Sequence, residues 1–353
     1  MRKKGTIQIK EIAERLGVSP GTVSLVLNGR GDELRISKAT QQSVKKVAKE
    51  LNYQPNIYAR RLRTVRAGES SKVIAVFWST EFIEDMMGRF FMGMHKEVTA
   101  KGYNVEFFVQ LFSFDKLSEW KDIMNSSRFS GIIVCGVSDI DMVFLNENNF
   151  DLPIVLVNRN EERYHFVDIN NYEIGKSVAK LFHCRNHKHV GLISMKLKGQ
   201  GAMMRQIGFL ENCEKYKMDV RAEWIDEMGG RDYASGYQAT QRMLQHKDKP
   251  DAIFVMSYGQ VLGTVEACKD AGLKIPEDIE VLSYGDSTTF THYLPTISSV
   301  YIPIETLAEN ALNLLILVID NSIDMPMSRM LYADYAFRES CGGFLNDTVN
   351  EGS

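Results

Sequence analysis

The chain has 353 residues, of which 44% are hydrophobic and 25% are charged. This length and composition are typical of a globular protein of two or three domains and exclude a disordered or fibrous chain. The net charge of −3 is unevenly distributed, because residues 1–66 contain fifteen Lys and Arg against five Asp and Glu. The first 66 residues therefore carry +10 and the remaining 287 carry −13. A strongly basic end on an acidic chain indicates nucleic-acid binding by that end, the alternative being a merely solvated basic face.

No apolar run approaches the roughly 18 residues of a membrane span, since the longest, residues 311–319, is short and contains Asn313. The first residues also lack the apolar core of a secretory signal, so we expect a cytoplasmic protein. The cysteines are widely spaced with no Cys-x-x-Cys pair, which argues against a disulfide framework and a zinc site. We expect reduced structural thiols, no metal and no cofactor. The five cysteines are Cys135, Cys184, Cys213, Cys268 and Cys341.

The first 51 residues predict three short helices. Apolar residues at i, i+3, i+4 and i+7 from Ile9 predict a helix that Gly17 ends. Ser19 and Pro20 then predict the N-cap and first residue of a second helix, and Ser37 predicts the cap of a third helix that runs to about residue 51. Two helices joined by a short turn fit a helix-turn-helix, whose second helix lies in the DNA major groove. The predicted inward side chains are Ile9, Ile12, Ala13, Leu16, Val23, Val26, Leu27, Val44, Val47, Ala48 and Leu51.

Several short motifs in this region resemble those of one protein family. They are Ile9-Lys10-Glu11-Ile12-Ala13, Gly17-Val18-Ser19, Thr22-Val23-Ser24, Val26-Leu27-Asn28-Gly29, Leu51-Asn52-Tyr53-Gln54-Pro55-Asn56 and Ala59-Arg60-x-Leu62. Together they resemble the LacI/GalR family of bacterial transcription regulators. The resemblance implies a homodimer on double-stranded operator DNA. It also implies that residues 56–63 become a hinge helix only on DNA, where Leu62 enters the minor groove.

The resemblance also implies which residues contact DNA. Three of them, Pro20, Gly21 and Leu25, lie where base edges are usually read but lack hydrogen-bonding side chains. Readout would then depend on Thr22, Ser24, thymine methyl groups and DNA shape, so the operator sequence is not predicted. The loop between the second and third helices is longer than in the lactose repressor; its Arg30 and Arg35 could add phosphate contacts, or it could be a plain insertion. The implied contacts are Ser19, Pro20, Gly21, Thr22, Ser24, Leu25, Asn28, Tyr53, Asn56, Ala59, Arg60 and Leu62.

From residue 72 onward, strand-like and helix-like stretches alternate. Near-continuous apolar runs predict buried parallel strands at 73–78, 105–111, 131–135, 153–157, 190–194, 252–256, 280–284 and 298–302. Helical patterns lie between them, for example at 90–100, 172–182 and 261–271. This alternation predicts two doubly wound α/β sheets. The family resemblance implies a periplasmic-binding-protein-like arrangement of two lobes, with three crossovers and a ligand in the cleft.

We therefore predict a helix-turn-helix domain at 1–55, a hinge helix and linker at 56–71, a two-lobed effector-binding and dimerisation domain at 72–345 and a tail at 346–353. One lobe would contain about 72–170 with 302–331, and the other 171–301 with 332–345. Motifs such as Arg205-x-x-Gly208-Phe209 and Arg338-Glu339-Ser340 extend the resemblance along essentially the whole chain.

The predicted cleft differs from that of sugar-responsive relatives. Those relatives have an Asn-Asp pair where this chain has Ser257-Tyr258, and an Asp where it has Gly285, so two anchors for sugar hydroxyls are missing. An aromatic pocket with the guanidinium of Arg205 suits an anionic ligand such as a uronate. Packing and loop capping are the alternatives for the tyrosines and for Asp286, and packing is predicted for His165, His183, His187, His189 and residues 86–94. The implied ligand-binding residues are Trp78, Arg205, Tyr233, Ser257, Tyr258, Tyr284 and Asp286.

These patterns predict a DNA-binding transcription regulator, a repressor or an activator, whose operator affinity is controlled by a sugar, sugar acid or related metabolite. A regulator that answers to a protein partner or to no ligand is an alternative, and a solute-binding protein is another. An enzyme is not predicted, because the chain lacks His-Glu-x-x-His and phosphate-binding glycine motifs.

Overall fold

The computed structural model describes residues 9–27, 31–32, 36–51, 71–81, 84–195, 199–227, 229–322 and 325–344. The chain divides into two compact units, Met1–Ser70 and Ser71–Ser353. Several sequence predictions lie outside the described residues. They concern Asn28, Arg30, Arg35, Tyr53, Asn56, Ala59, Arg60, Leu62 and the hinge and tail segments.

The first unit contains the three predicted helices: α1 (Ile9–Leu16), α2 (Pro20–Leu27) and α3 (Lys38–Glu50). Gly17 has a φ of +64°, the left-handed conformation that ends α1 and turns the chain toward α2. Ser19 Oγ accepts a hydrogen bond from the Thr22 amide at 3.0 Å, and Ser37 Oγ accepts one from the Thr40 amide at 3.1 Å. The predicted caps of α2 and α3 are therefore confirmed. The buried apolar core comprises Ile12, Ala13, Val23, Val26, Val44, Val47 and Ala48.

The second unit contains two six-stranded sheets. The first sheet has the order β11-β5-β4-β3-β1-β2 and comprises β1 (Lys72–Ser79), β2 (Val105–Phe112), β3 (Gly131–Cys135), β4 (Ile154–Val157), β5 (His165–Ile169) and β11 (Ser328–Leu331). The second has the order β12-β10-β9-β8-β6-β7 and comprises β6 (Val190–Ile193), β7 (Ile225–Asp226), β8 (Ala252–Val255), β9 (Glu280–Tyr284), β10 (Ser298–Tyr301) and β12 (Asp334–Ala336). We call the parts of the unit built on these sheets the first and second lobes.

Neighbouring strands pair in parallel throughout both sheets, except that β12 pairs antiparallel with β10. The chain passes between the sheets after β5, after β10 and after β11, which gives the three crossovers that the family resemblance implies. All eight predicted strands are present, each within one residue of its predicted bounds. Four strands, β5, β7, β11 and β12, were not predicted.

Helices cover the sheets in pairs. They are α4 (Glu84–Lys101), α5 (Asp139–Glu147), α6 (Asn171–Cys184), α7 (Gln200–Lys215), α8 (Tyr233–Leu244), α9 (Tyr258–Asp270) and α10 (Ile304–Ile319). In these pairs α4 packs on α10, α6 on α7 and α8 on α9. Short 3₁₀ helices occur at Leu117–Ile123, Ala222–Trp224 and Thr288–Thr291. Three helical segments were predicted, and all three are found. The segment 90–100 lies within α4 and 172–182 lies within α6. The segment 261–271 lies within α9 except for its last residue.

None of the helices in the described part of the chain combines the length and the apolar character needed to cross a bilayer. The five cysteines are free thiols, and four of them are buried. Burial raises the pKa of the Cys213 thiol to about 12, and that of the Cys268 thiol likewise to about 12.

Candidate ligand cavity and nucleic-acid interface

The exposed side of α2 is formed by the beginning of the helix. Ser19, Pro20 and Gly21 are exposed, while Thr22 and Leu25 are half-buried. The Thr22 hydroxyl lies 2.9 Å from Ser19 Oγ, so the two hydroxyls are hydrogen-bonded to each other. The exposed surface of α2 therefore presents small and apolar groups rather than long hydrogen-bonding side chains.

Ser24 is a correction to the sequence prediction. We expected it on the side of α2 away from the core, but it is only 3% exposed. Ser24 lies beyond Leu27 at the edge of the apolar stripe on the helical wheel, so the core formed with α1 and α3 covers a wider arc of α2 than the narrow stripe suggested. A side chain buried in this way is not available to read a base edge directly.

A cavity of about 140 Å³ lies between the two sheets of the second unit. Residues at, or within two positions of, the ends of nine strands line it, among them Trp78 in β1, Val157 in β4 and Tyr284 in β9. In open α/β sheets, ligands bind at the carboxyl ends of the strands, which is the edge that faces this cavity. Six of the seven sequence-predicted ligand residues line it: Trp78, Arg205, Ser257, Tyr258, Tyr284 and Asp286.

Tyr233 does not line the cavity, contrary to the prediction. It is the first residue of α8, is 49% exposed, and its ring stacks on that of Tyr237 with centroids 6.3 Å apart. Asp232 caps the helix by accepting a hydrogen bond from the Ser235 amide at 2.8 Å. The chain therefore turns into α8 before Tyr233, and the side chain that lines the cavity from this segment is Arg231.

Arg205 projects from α7 and is only 4% exposed. Its Nη1 donates to Asn171 Oδ1 at 2.7 Å, and its guanidinium carbon lies 3.2 Å from the centroid of the Tyr284 ring. Its buried Nε has no hydrogen-bond partner among the described residues. Burial lowers the pKa of Arg205, and the charge of Arg231 lowers it further, although the contact with Tyr284 opposes both. A buried guanidinium with an unused donor is an anion-binding group.

Arg231 provides the second guanidinium at the cavity. Among the described residues, no carboxylate lies within 4 Å of it, and burial lowers its pKa while the more distant Glu81 raises it. Arg231 was not among the ligand residues predicted from the sequence. It follows Gly229-Gly230 in a segment whose composition is typical of a polar loop, so the local sequence gives only a weak indication of a ligand contact.

The other charged residues that line the cavity are neutralised within the protein. Arg89 donates to both oxygens of Glu305 at 2.7 Å and also to Tyr301 Oη at 3.0 Å. Asp286 accepts hydrogen bonds from Arg338 at 2.8 and 3.1 Å and from Ser299 Oγ at 2.7 Å. Burial alone would raise the pKa of Asp286, but these hydrogen bonds outweigh burial and lower it. Within the described residues, the cavity therefore carries the excess positive charge of two guanidinium groups.

The first-lobe wall of the cavity is apolar. Trp78, Phe90 and Phe114 are all at least nine-tenths buried, and the rings of Trp78 and Phe90 lie 5.2 Å apart. Met86, Val137 and Val157 also belong to this wall, which includes the polar Asn158 and the paired Arg89 as well. The cavity is thus polarised, with guanidinium groups on the second-lobe side and aromatic and aliphatic groups on the first-lobe side.

The histidines lie away from this cavity. His187 contacts two carboxylates, His183 stacks on Tyr216 with centroids 4.6 Å apart, His189 packs edge-on against Trp224, and His165 Nδ1 accepts from the Met327 amide. In the described part of the chain, no cluster of three His, Cys, Asp or Glu side chains has the arrangement of a metal site.

Two family models match the chain. The model of bacterial regulatory proteins of the lacI family matches residues 8–56, and that of the periplasmic binding protein-like domain matches residues 179–341. The first match covers the three helices of the first unit. The second match covers most of the second lobe, including β12, the strand that rejoins the second sheet near the end of the chain.

The chain is also similar to named proteins along most of its length. The HTH-type transcriptional repressor PurR of Erwinia tasmaniensis is 27% identical over 312 residues, which are 87% of this chain and 89% of that protein. A LacI family transcription regulator from Clostridium acetobutylicum has a TM-score of 0.71 at 26% identity and covers 76% of this chain and 100% of its own. The lac repressor dimer bound to operator and the anti-inducer ONPF has a TM-score of 0.68 at 20% identity, covering 96% and 100%, and shows the shared fold.

Proposed function

Because the chain belongs to the LacI/GalR family of bacterial transcription regulators, we propose that it is a dimeric DNA-binding repressor controlled by a small molecule. The observation that carries the proposal is the combination of a family-matched helix-turn-helix unit with a second unit that holds an anion-binding cavity between two sheets. A regulator of bacterial genes works beside the chromosome, so the proposed location is the cytoplasm.

On the DNA side, the beginning of α2 is the proposed major-groove surface. The exposed Ser19, Pro20 and Gly21, with Thr22 and Leu25 behind them, are small enough for close approach to base edges and thymine methyl groups. The charge of +10 on the first 66 residues supplies phosphate binding. The hinge contacts proposed from the family motifs are Tyr53, Asn56, Ala59, Arg60 and Leu62.

The test of the DNA-binding proposal is Leu62→Ala. The protein first selects fragments from a genomic library, and the fragment it binds best is then titrated at fixed salt. We expect the variant to bind this fragment about ten- to a hundredfold more weakly, because the minor-groove wedge of each subunit is lost. Binding to random duplex should change little, since phosphate contacts remain. Equal binding of the selected fragment by parent and variant would contradict the proposed hinge role.

On the ligand side, we assign binding rather than catalysis to the cavity, because the two of its charges that have no ion-pair partner within the described part of the chain are arginines held beside apolar groups. The proposed ligand is a small organic anion. It changes operator affinity only to the extent that it binds the two arrangements of the lobes with different affinity. Arg205 is the proposed central anchor, since it is buried, oriented by Asn171 and stacked on Tyr284.

A further inference from the structure

The polarised cavity narrows the chemistry of the ligand. We propose that it is a small carboxylate with a hydrophobic body, its carboxylate bound by Arg205 and Arg231 and its body against the apolar first-lobe wall. This inference deepens the proposed function and rests on it. Three features of the cavity carry it: the uncompensated charge, the apolar wall and the volume.

The uncompensated charge lies on one side only. Arg205 and Arg231 both belong to the second lobe, and neither has a carboxylate within ion-pair distance among the described residues. The charge of Arg231 lowers the pKa of Arg205, so the two guanidinium groups are close enough to repel each other. A carboxylate that accepts hydrogen bonds from both guanidinium groups removes this repulsion and uses the free Nε of Arg205.

The opposite wall requires an apolar body. Trp78, Phe90 and Phe114 contribute aromatic surface there, and Met86, Val137 and Val157 contribute aliphatic surface. Burying a polyhydroxylated ring against such a wall would leave its hydroxyl groups without partners, at about 1–3 kcal/mol for each unsatisfied group. The oxygens of Asp286, which could have bound sugar hydroxyls, already accept from Arg338 and Ser299.

The volume limits the body to about one ring. The cavity measures about 140 Å³, close to the roughly 150 Å³ of an apolar cavity that binds benzene. A single aromatic ring with a one-carbon arm to its carboxylate matches this space. Phenylacetate has these properties and is the probe of choice.

The test is calorimetric titration of the full-length protein with three compounds. Phenylacetate carries both the ring and the charge, benzyl alcohol carries the ring without the charge, and glucuronate carries the charge on a hydroxyl-rich ring. We expect phenylacetate to bind at least about tenfold more tightly than either of the other compounds. Only phenylacetate combines a carboxylate for the guanidinium groups with an apolar ring for the first-lobe wall. Glucuronate or benzyl alcohol binding as tightly as phenylacetate, or no phenylacetate binding at all, would overturn the inference.

Variants test the role of Arg231 in the same titration. Arg231→Gln should weaken phenylacetate binding about ten- to a hundredfold and leave benzyl alcohol binding unchanged, because it removes a charge-assisted hydrogen bond to the carboxylate. Arg231→Lys keeps the charge, so its affinity for phenylacetate should fall by less than that of Arg231→Gln. The matched control is Arg128→Gln, an exposed arginine outside the cavity, which should bind phenylacetate as the parent does. Unchanged phenylacetate affinity in Arg231→Gln would remove Arg231 from the ligand site.

Titration of the selected genomic fragment without ligand separates the two proposals. The parent and the Arg128→Gln control should bind this DNA equally, since Arg128 is exposed and belongs neither to the helix-turn-helix unit nor to the cavity lining. If the parent protein does not bind this fragment more tightly than random duplex, the proposed function is refuted. Selective DNA binding without phenylacetate binding would refute the present inference and leave the proposed function standing.

Discussion

At the residue scale, an ionic network lies at the end of the second sheet opposite the cavity. His187 Nδ1 lies 3.2 Å from Asp251 Oδ1, and its Nε2 lies 3.1 Å from Glu280 Oε2. Glu280 also accepts from Arg185 Nε at 2.8 Å. These residues stand at or just before the amino ends of β6, β8 and β9. The network therefore ties three neighbouring strands together, and none of its residues lines the cavity.

The pKa values of this network give stability a defined pH dependence. Burial alone would lower the pKa of His187, but the two carboxylates outweigh burial and raise it to about 9. Its contribution is complete below the unfolded value of 6.5 and is lost as the pH rises through 9. Burial alone would raise the pKa of Glu280, but His187 and Arg185 lower it to about 2. That contribution is complete above 4.5 and is lost as the pH falls through 2.

We predict that His187→Gln lowers the free energy of unfolding by about 2 kcal/mol at about pH 6 and by clearly less at about pH 10, where the parent histidine is neutral. Urea denaturation at the two pH values measures the difference. His183→Gln is the control, because His183 stacks on Tyr216 rather than on a carboxylate. A loss from His187→Gln that is the same at both pH values would show that the ring acts only through packing.

The ligand residues show what a sequence can and cannot predict at this scale. Arg205 lies in the Arg-x-x-Gly-Phe motif, so the resemblance places it directly. Arg231 is placed by a tertiary contact instead: its carbonyl accepts from Ser257 Oγ at 3.4 Å, and a Cβ on Gly259 would approach it to 2.2 Å. No local pattern around Arg231 contains that information, and the family resemblance implied the neighbouring Tyr233 instead.

At the scale of elements, α6 and α7 approach each other closely through two glycines. A Cβ on Gly175 would lie 2.0 Å from the Arg205 carbonyl oxygen, and one on Gly208 would lie 2.2 Å from the Tyr172 carbonyl oxygen. Both obstacles are backbone atoms, which cannot rotate away. Because α7 also carries Arg205, this close packing fixes the height of the guanidinium above Tyr284.

We predict that Gly208→Ala destabilises the protein by about 1–3 kcal/mol, since the two helices must separate. Gly88→Ala is the matched control: Gly88 is exposed within α4 and has no atom within 4 Å of the added Cβ. This control should stabilise the protein by about 0.5–1 kcal/mol through helix propensity. Thermal or urea unfolding measures both changes. A neutral Gly208→Ala would mean that the helices adjust without cost.

The strands that the sequence predicted are continuous apolar runs, most of them buried, although the edge strand β2 is half-exposed or exposed along nearly its whole length, contrary to the prediction of a buried strand. In the central strand β1, every residue after Lys72 is buried, and buried parallel strands of this kind produce the continuous apolar runs that were recognised. The unpredicted β11 and β12 are edge strands and have half-exposed or exposed residues throughout. The unpredicted β7 has only two residues, and β5 is interrupted by His165 and Asp168. These four strands are defined by pairing with distant segments, which periodicity does not reveal.

At the scale of the whole molecule, the helix-turn-helix and the proposed ligand cavity belong to different units of the chain. The basic charge lies in the first 66 residues, and the arginines proposed to bind the ligand lie in the second unit. A ligand can change operator affinity only through a coupling free energy between the two sites, commonly about 1–3 kcal/mol or five- to 150-fold in affinity. A residue that serves only the ligand should therefore affect the response and not the operator affinity of the ligand-free protein.

Arg205→Lys tests this separation. The lysine keeps a positive charge but loses the planar fork that binds a carboxylate and stacks on Tyr284. We predict that the variant binds the selected DNA fragment as the parent does without ligand, and that millimolar phenylacetate no longer changes this binding. Fluorescence anisotropy of the labelled fragment, with and without phenylacetate, measures the ratio of the two affinities.

The control for this prediction is Arg221→Lys. Arg221 also stacks on an aromatic ring of the second lobe, with its guanidinium carbon 4.5 Å from the Trp224 centroid, but it does not line the cavity. The control should therefore keep the full response to phenylacetate. If Arg205→Lys kept it as well, Arg205 would not transmit the signal. If instead Arg205→Lys weakened ligand-free DNA binding, the residue would be needed for the DNA-binding arrangement itself, and the coupling would have to be assigned to other contacts between the lobes.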